Sequence, residues 1–433
     1  MTEANRIIRI LHLSDLHFGS NHIFKEDDNE TLGNSLGKDL VKKVCINNES
    51  LCLVAVTGDL VNKGECTKYS DVISFLEEIE RKIKCPKEKI FIVPGNHDVN
   101  TIVKDAKPEE KLKEYSTFYR DFLCLPEYCC VDSSVKVKRL AEEKVIVVEL
   151  NSCTDLKERE IEGRTTTVGG VIIGEMISTL KTELNKLKKK LGNDDFNQHI
   201  KIALLHHHAI LLPLFLEKSK DEKSIIDETT IRSGDLLTIL TEYGFHLILH
   251  GHKHYPLQYV HDPNSSWCPE NVDKPILIVS GGCCGLDKTL RDDDPTARNT
   301  YNVIDVERTG DSEIKITVKT RGLNTFRKNR AHQHQREPDR KRWEWKDVKY
   351  RSFHFQFIKE SNGGYWGWII TTSTKDFNAV ENAKLTLKQV LQNCLLGNKE
   401  FCDIYSFGMN EPSDELILQN KYEYLCHEIA PFR

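Results

Sequence analysis

Residues 7–17 read IIRILHLSDLH, an apolar run that ends in a carboxylate and an imidazole two positions apart. A short run rich in Ile and Leu is typical of a buried strand. In an extended segment, alternate side chains point to the same side, so Asp15 and His17 can face one ligand together. The stretch therefore predicts a strand that carries two candidate metal-binding groups at its carboxyl end.

Four further polar clusters repeat this arrangement along the chain. Each follows an apolar run that predicts a buried strand: Leu51–Val56, Lys89–Val93, Lys201–Leu205 and Phe245–Leu249. The clusters are Gly58-Asp59, Gly95-Asn96-His97-Asp98, His206-His207-His208 and His250-Gly251-His252-Lys253-His254. Ligands bind at the carboxyl ends of the strands in open α/β sheets, so we expect the five clusters to meet at one edge.

The residue types in these clusters are those that bind divalent metal ions. The carboxylate of Asp59 has two oxygens and can bridge two cations. Asn96 offers a neutral amide oxygen, and His252 and His254 have the same two-residue spacing as Asp15 and His17. The clusters supply ligands for two ions about 3.5–4 Å apart, an arrangement that hydrolyses phosphate esters. Mixed oxygen and nitrogen donors suit Mn, Fe, Zn or Ni without choosing among them.

The combined motif set D-x-H, G-D, G-N-H-D, a later His and G-H-x-H resembles the signature of the calcineurin-like metallophosphoesterase superfamily. The resemblance covers about residues 6–306 and is strongest to the branch that includes bacterial cyclic-nucleotide phosphodiesterases. It implies one ion held by Asp15, His17, Asp59 and His254, and a second held by Asp59, Asn96, His207 and His252. The family usually has His-His-Pro at the fourth cluster. Aligning Ala209 with that proline makes His207 the ligand and leaves His206 as the alternative.

The resemblance also implies a mechanism. A hydroxide that bridges the two metals would attack phosphorus in line with the leaving oxygen. His97 stands beside a ligand without being one, so it is the candidate general acid, oriented by a carboxylate such as Asp98. The sequence therefore predicts a phosphodiesterase that hydrolyses a phosphate ester, which could be a nucleotide.

The order of predicted elements indicates an α/β fold built as a two-sheet sandwich flanked by helices. Amphipathic helices are predicted at Asp71–Lys84, Glu175–Leu191 and Ser233–Tyr243, between the predicted strands. Later strands follow one another at Pro275–Ser280, Tyr301–Val306 and Glu313–Lys319. These favour a second, largely antiparallel sheet packed on the first.

The composition changes near residue 321, which predicts three parts. Residues 1–320 form the metallophosphoesterase domain, residues 321–345 a basic linker, and residues 346–433 a small α+β module with strands Phe353–Lys359 and Tyr365–Thr372 and a helix Ala379–Leu396. The segment Lys315–Arg351 holds 13 basic and 4 acidic residues, together with Trp343 and Trp345. It could bind nucleic acid by phosphate contacts and base stacking, or its tryptophans could dock on the catalytic domain.

Two alternatives to the phosphodiesterase follow from this segment. One is a metal-dependent nuclease that uses the basic segment to guide DNA or RNA. The other is a non-catalytic interaction protein with a structural metal site, whose C-terminal module docks a protein partner. The complete ligand set argues against the second alternative, because structural sites are closed.

Composition limits the remaining classes. A hydrophobic content of 39%, a charged content of 29% and a net charge of −5 are those of a soluble globular protein without a dominant polyanionic partner. No apolar stretch reaches 18 residues, and residues 1–6 lack the apolar core of a signal peptide. None of the 14 cysteines forms a C-x-x-C pair. We expect a cytoplasmic protein with reduced thiols and no membrane contact.

Overall fold

The computed structural model describes residues 7–24, 30–44, 53–100, 107–124, 134–154, 158–161, 164–167, 170–210, 230, 232–263, 274–287, 299–310, 313–326, 342–359 and 366–375. Within these residues the helices are α1 (Leu32–Lys43), α2 (Tyr69–Ile83), α3 (Pro108–Lys111), α4 (Lys113–Leu123), α5 (Gly174–Leu191), α6 (Asn193–Gln198) and α7 (Ser233–Glu242). In this part of the chain, none of the helices combines the length and the apolarity needed to cross a bilayer.

The strands of the same residues run from β1 to β15. They are β1 (Ile7–Leu13), β2 (Leu53–Thr57), β3 (Ile90–Val93), β4 (Val135–Leu140), β5 (Val145–Leu150), β6 (Glu158–Ile161), β7 (Arg164–Thr167), β8 (Ile200–Leu204), β9 (Leu247–His250), β10 (Gln258–His261), β11 (Ile276–Ser280), β12 (Thr300–Gly310), β13 (Glu313–Phe326), β14 (Arg342–Lys359) and β15 (Trp366–Lys375). The five strands predicted to precede the polar clusters are confirmed as β1, β2, β3, β8 and β9, each within two residues of the predicted start.

Two mixed sheets form the centre of the fold. The first has the strand order β15-β14-β13-β12-β1-β2-β3, and its β1, β2 and β3 are parallel. The second has the order β10-β11-β9-β8-β5-β4, and its β5, β8, β9 and β11 are parallel. The parallel strands that precede the polar clusters therefore lie in both sheets, and their carboxyl ends carry the clusters.

Alternating side chains of β1 explain the layering. Ile8 and Ile10 belong to a core shared with Leu204 and Leu249 of the second sheet, whereas Leu11 packs on the opposite side, among helices α1, α2 and α4. The outer face of the second sheet is covered by α5 and α7, in the same way. The result is a helix–sheet–sheet–helix sandwich, which confirms the predicted fold class.

The placement of the later strands differs from the prediction. β12 pairs antiparallel with β1, and β13 pairs antiparallel with β12, so both extend the first sheet instead of building a second one. β11 does join the second sheet, but it runs parallel to β9. The second sheet is therefore parallel in its four inner strands and antiparallel at its edges, β4 and β10. Helices α5 and α6 lie between β5 and β8, and α7 lies between β8 and β9, as parallel pairing requires.

The predicted linker overlaps two strands. Residues 321–326 lie at the end of β13, and residues 342–345 lie at the start of β14, which pairs with β13 in the first sheet. Both predicted strands of the C-terminal module are present in β14 and β15. The helix predicted at 379–396 lies outside the described residues, and the division into domains stays a prediction.

The start of β14 is docked on helix α1. The Trp345 side chain is 5% exposed and its Nε1 donates a hydrogen bond to Ser35 Oγ at 3.0 Å. Its ring contacts Tyr301 edge to face, with centroids 4.9 Å apart. Arg321 donates two hydrogen bonds to the carboxylate of Asp39 on α1, at 2.5 and 2.7 Å. These contacts support the docking interpretation of this tryptophan, because a buried indole is not free to stack on a base.

Candidate metal centre

The polar clusters are joined to one another by backbone hydrogen bonds. The amides of Asp15 and His17 donate to the carbonyls of Gly58 and Asp59, both at 3.0 Å. The amide of Gly251 donates to the carbonyl of His206 at the same distance. These bonds hold the loop after β1 against the loop after β2, and the loop after β9 against the loop after β8. The predicted convergence at the carboxyl edge is therefore built into the backbone.

The backbone at this edge is strained. Nine non-glycine residues among those described have positive φ, and five of these are predicted metal ligands: Asp15 (54°), His17 (47°), Asp59 (52°), His252 (77°) and His254 (60°). Side chains with a Cβ rarely adopt the left-handed region, and such residues cluster at functional sites. Gly95 has a related role, since a Cβ there would lie 2.1 Å from Asp59 Oδ1. The local backbone is shaped around these side chains.

Four donor groups form the first candidate metal position. One donor atom each from Asp15, His17, Asp59 and His254 lies within 4.8 Å of the others. The Nε2 atoms of His17 and His254 are 3.1 Å apart, and His254 Nε2 is 3.3 Å from Asp15 Oδ1. Burial lowers the pKa of His17 to about 3, so its ring is neutral and can coordinate. This set is the one that the family resemblance implies for the first ion.

The second candidate position centres on Asn96. Its Oδ1 lies 3.0 Å from His206 Nε2 and 3.0 Å from His252 Nδ1. His206 Nε2 is also 3.4 Å from Asp59 Oδ1. Donor atoms of His206, His207 and His252 lie within 4.8 Å of one another. The structure thus brings the predicted ligands Asn96 and His252 together with two candidate histidines.

Asp59 lies between the two positions. Its Oδ2 is 3.9 Å from His17 Nε2, whereas its Oδ1 faces His206 on the other side. The carboxylate is buried and accepts a hydrogen bond from the His97 amide to Oδ1 at 2.8 Å. Burial alone would raise its pKa, but the charges of His206 and His97 lower it well below the ordinary value. An ionised carboxylate with one oxygen in each group has the geometry of a bridging ligand.

The two consecutive histidines after β8 have different surroundings. His206 Nδ1 lies 2.7 Å from the carbonyl of Thr57, which leaves Nε2 directed at Asn96 and Asp59. A backbone carbonyl behind the ring is the usual support of a metal-binding histidine. His207 Nδ1 instead lies 2.8 Å from Ser152 Oγ. The geometry therefore favours the alternative, His206, as the histidine that completes the second position with Asn96 and Asp59.

His97 stands at the rim of the site. Its side chain is 33% exposed, and Nε2 lies 3.9 Å from Asp59 Oδ2. The backbone amide of Lys63 donates a hydrogen bond to Nδ1 at 3.2 Å. A partly exposed imidazole beside the bridging carboxylate, with one nitrogen anchored, can reach a substrate that enters from solvent.

Asp98 lies beneath the loop instead of behind His97. Its carboxylate accepts hydrogen bonds from the amides of Gly95 and Leu60, at 2.8 and 3.1 Å, and from the hydroxyl of Tyr69 at 3.1 Å. Among the described contacts there is no hydrogen bond between this carboxylate and the His97 ring. The suggested orienting role of Asp98 is therefore taken by the Lys63 amide in this geometry, and Asp98 fixes the backbone that carries Asp59 and His97.

Sequence reasoning missed three supporting groups. Ser14 Oγ donates to Asp15 Oδ2 at 2.5 Å, and the Thr57 carbonyl and Ser152 hydroxyl support the two histidines. Ser152 carries the same signal as the predicted clusters, because Asn151-Ser152 directly follows the apolar strand β5. Cys283 also offers a sulfur within 4.8 Å of donor atoms of His17 and His254.

Comparison with known proteins agrees with this geometry. The calcineurin-like phosphoesterase family matches residues 8–256, more than half of the chain. The chain therefore belongs to that family. The metallophosphoesterase-like protein YydB of Bacillus subtilis is 25% identical over 300 residues, which cover 63% of this chain and 53% of YydB. The chain thus spans about half the length of this curated relative.

Solved structures that match are distant in sequence. A phosphopantetheinyl hydrolase from Mycobacterium tuberculosis is 16% identical, with a TM-score of 0.32, over 66% of this chain and 93% of its own. A 5'-nucleotidase precursor from Thermus thermophilus is 11% identical, with a TM-score of 0.36, over 70% of this chain and 51% of its own.

Proposed function

We propose that the chain is a metal-dependent phosphoric ester hydrolase that uses two divalent ions, one on each side of Asp59. The observation that carries the proposal is the position of the Asp59 carboxylate, with Oδ2 toward His17 and Oδ1 toward His206. Asp15, His17 and His254 would complete the first position. Asn96, His206 and His252 would complete the second. The family membership of residues 8–256 supports the same reaction class.

The donor set fits such ions. Two imidazoles and two carboxylates converge on the first position with donor atoms within 4.8 Å. Asp15 and Asp59 offer buried carboxylate oxygens within 4.8 Å of each other, and charges of the same sign at this distance repel unless positive charge lies between them. Their imidazole neighbours lie at 3.3 and 3.9 Å. Bound divalent ions would supply an activated water and would offset the charge on the phosphoryl oxygens.

His97 is the proposed general acid. Its Nδ1 accepts a hydrogen bond from the Lys63 amide, so Nε2 is the ring nitrogen that remains to exchange a proton with the substrate. Nε2 is the atom that faces the bridging carboxylate at 3.9 Å. The same atom can donate the proton that the leaving oxygen requires when the phosphorus–oxygen bond breaks. His97 thereby acts on the substrate while its neighbour Asn96 acts as a ligand.

We propose a phosphate diester as the substrate class, on the sequence resemblance to phosphodiesterases. The test is hydrolysis of bis-p-nitrophenyl phosphate by full-length protein with Mn²⁺ or Zn²⁺, compared with p-nitrophenyl phosphate, cyclic nucleotides and single-stranded DNA. Activity that EDTA abolishes, that Asp59→Asn loses and that the exposed control Asp71→Asn retains would support the proposal. Equal activity with EDTA, or in Asp59→Asn, contradicts it.

The nuclease alternative gains no support from the basic segment. Trp345, one of its two tryptophans, is buried against helix α1 and its indole nitrogen is bonded to Ser35. Cleavage of single-stranded DNA in preference to the small diester would revive this alternative. The non-catalytic alternative predicts metal binding without hydrolysis of any substrate in the same panel.

A further inference from the structure

His207 lies beside the second metal position, although Asp59, Asn96, His206 and His252 already offer ligands there. Its donor atom lies within 4.8 Å of those of His206 and His252. Two nitrogen ligands of one ion, each about 2.1 Å from it, are separated by at most about 4.2 Å. A shift of less than roughly 1 Å would therefore bring all three imidazoles onto the same ion.

The ring of His207 is held with one nitrogen available. The residue is fully buried, and within the described part of the chain its Nε2 has no hydrogen-bond partner. Nδ1 is fixed by Ser152 Oγ at 2.8 Å. Gly170 packs closely against the ring. A Cβ at that position would lie 2.5 Å from His207 Cγ, so only glycine fits there. One ring nitrogen is thus anchored and the other is available, as in a metal-binding imidazole, although the anchor of His207 is a hydroxyl and not the more usual carbonyl or carboxylate.

A buried polar atom without a partner costs free energy, so its presence calls for a bound group or a function. His207 Nε2 has such a group close by if the second position holds an ion. The neighbouring His208 is a useful contrast. It is also buried, but its ring packs against that of His250 at an angle of 59°, with centroids 4.4 Å apart, and it is absent from the donor groups found among the described residues.

We propose that His207 is a third imidazole ligand of the second ion and makes that position selective for Zn²⁺ over Mn²⁺. The inference rests on the proposed function, since it assumes an ion beside Asp59, Asn96 and His206. Imidazole nitrogen favours zinc, nickel and copper, whereas carboxylate and carbonyl oxygen favour manganese and magnesium. A third nitrogen changes the balance at the second position and leaves the first unchanged.

The test compares the affinities of the metal-free full-length protein for Zn²⁺ and Mn²⁺ by calorimetric titration. We expect His207→Gln to lower the zinc-to-manganese affinity ratio of one site by about 10-fold or more, the scale on which support of a metal ligand matters. Ser152→Ala should lower the same ratio less, because the imidazole of His207 is still present and only its hydrogen bond to Ser152 Oγ is lost. His208→Gln, a change of the adjacent buried histidine, should leave the ratio unchanged.

The visible spectrum of bound Co²⁺ provides a second readout, which should change in His207→Gln and not in His208→Gln. An unchanged ratio and spectrum in a folded His207→Gln protein overturns the inference, and if that variant does not fold, an unchanged ratio in Ser152→Ala overturns it. A wild-type protein that binds fewer than two ions, or that hydrolyses no ester, contradicts the proposed function instead. The two failures are therefore distinguishable.

Discussion

The backbone amide of Lys63 donates a hydrogen bond to Nδ1 of His97 at 3.2 Å. The amide belongs to a tight turn, in which the amide of Glu65 donates to the carbonyl of Asn62 at 2.9 Å and Gly64 has a φ of +80°. Lys63 and Gly64 are thus the central residues of a turn with the signature of type II, which accepts proline at the first central position. The group that fixes His97 is part of the main chain and does not depend on the lysine side chain.

Lys63→Pro is expected to reduce kcat without unfolding the turn. Proline fits the first central position but has no N–H, so the hydrogen bond to His97 is lost. Misplacement of a reacting group costs up to about 100-fold in rate, and we expect a fall of about 10- to 100-fold. Lys63→Ala keeps the N–H and serves as the control. Equal steady-state activity of the two variants would show that the amide does not position His97.

His97→Ala is expected to separate catalysis from metal binding. A general acid contributes about 10²- to 10⁴-fold, so the rate should fall by that factor. His97 provides no donor to either proposed position, so the metal content measured by mass spectrometry should stay at the wild-type level. Metal loss as complete as in Asp59→Asn would make His97 a ligand and remove it as the acid.

His206→Ala is expected to lose the second ion. His206 Nε2 lies beside both Asn96 Oδ1 and Asp59 Oδ1, at 3.0 and 3.4 Å. His207→Ala should bind the second ion more weakly but still retain it, since the hydrogen bonds described for His207 are to Ser152 and not to these oxygens. This order is the reverse of the expectation from sequence. Metal titration of the two variants checks it, and greater loss in His207→Ala restores the original assignment.

The sequence predicted the strands that carry the ligands, because each is a short apolar run followed by polar residues. It did not predict which sheet the later strands join. Strand partnership depends on contacts between distant segments, and β12 pairs with β1 across some 290 residues, as in the pair Ile10 and Ile304. No local pattern in Tyr301–Val306 distinguishes this pairing from a separate sheet.

The choice between His206 and His207 is a second feature that the sequence could not predict. At the end of a strand, neighbouring side chains point in different directions, and identical residue types give no preference between them. The hydrogen bond from the Lys63 amide to His97 is a third such feature. Every residue other than proline has an amide, so no residue type marks the one that donates. By contrast, the residues that meet at the first position, Asp15, His17, Asp59 and His254, are the four that the sequence grouped together, and their binding of a metal ion stays a prediction.

Trp345→Ala is expected to destabilise the fold. The indole is buried between Ser35 and Tyr301, and truncation of a buried Trp costs about 3–5 kcal/mol in the free energy of unfolding. Urea unfolding measures the loss, with Val348→Ala as an exposed control on the same strand. A loss of less than about 1 kcal/mol, the scale of surface substitutions, would mean that the docking of β14 on α1 contributes little to the stability of the sandwich.

Glu149→Gln is expected to stabilise the protein at neutral pH. Burial raises the pKa of Glu149 above its ordinary value of 4.5, despite bonds from the Ile92 amide and the Tyr119 hydroxyl. Because the folded state binds the proton more tightly than the unfolded state, the wild type gains stability as pH falls through the folded pKa toward 4.5. The difference between variant and wild type should be largest at neutral pH and should diminish with acidification. A difference that grows in acid contradicts this sign.

Anomalous X-ray scattering from crystals of the full-length protein grown with Zn²⁺ would locate the ions relative to Asp59. We expect two peaks about 3.5–4 Å apart, with the Asp59 carboxylate between them. One peak should contact Asp15, His17 and His254, and the other Asn96, His206 and His252. A single peak, or a pair of peaks that Asp59 does not touch, would contradict this expectation.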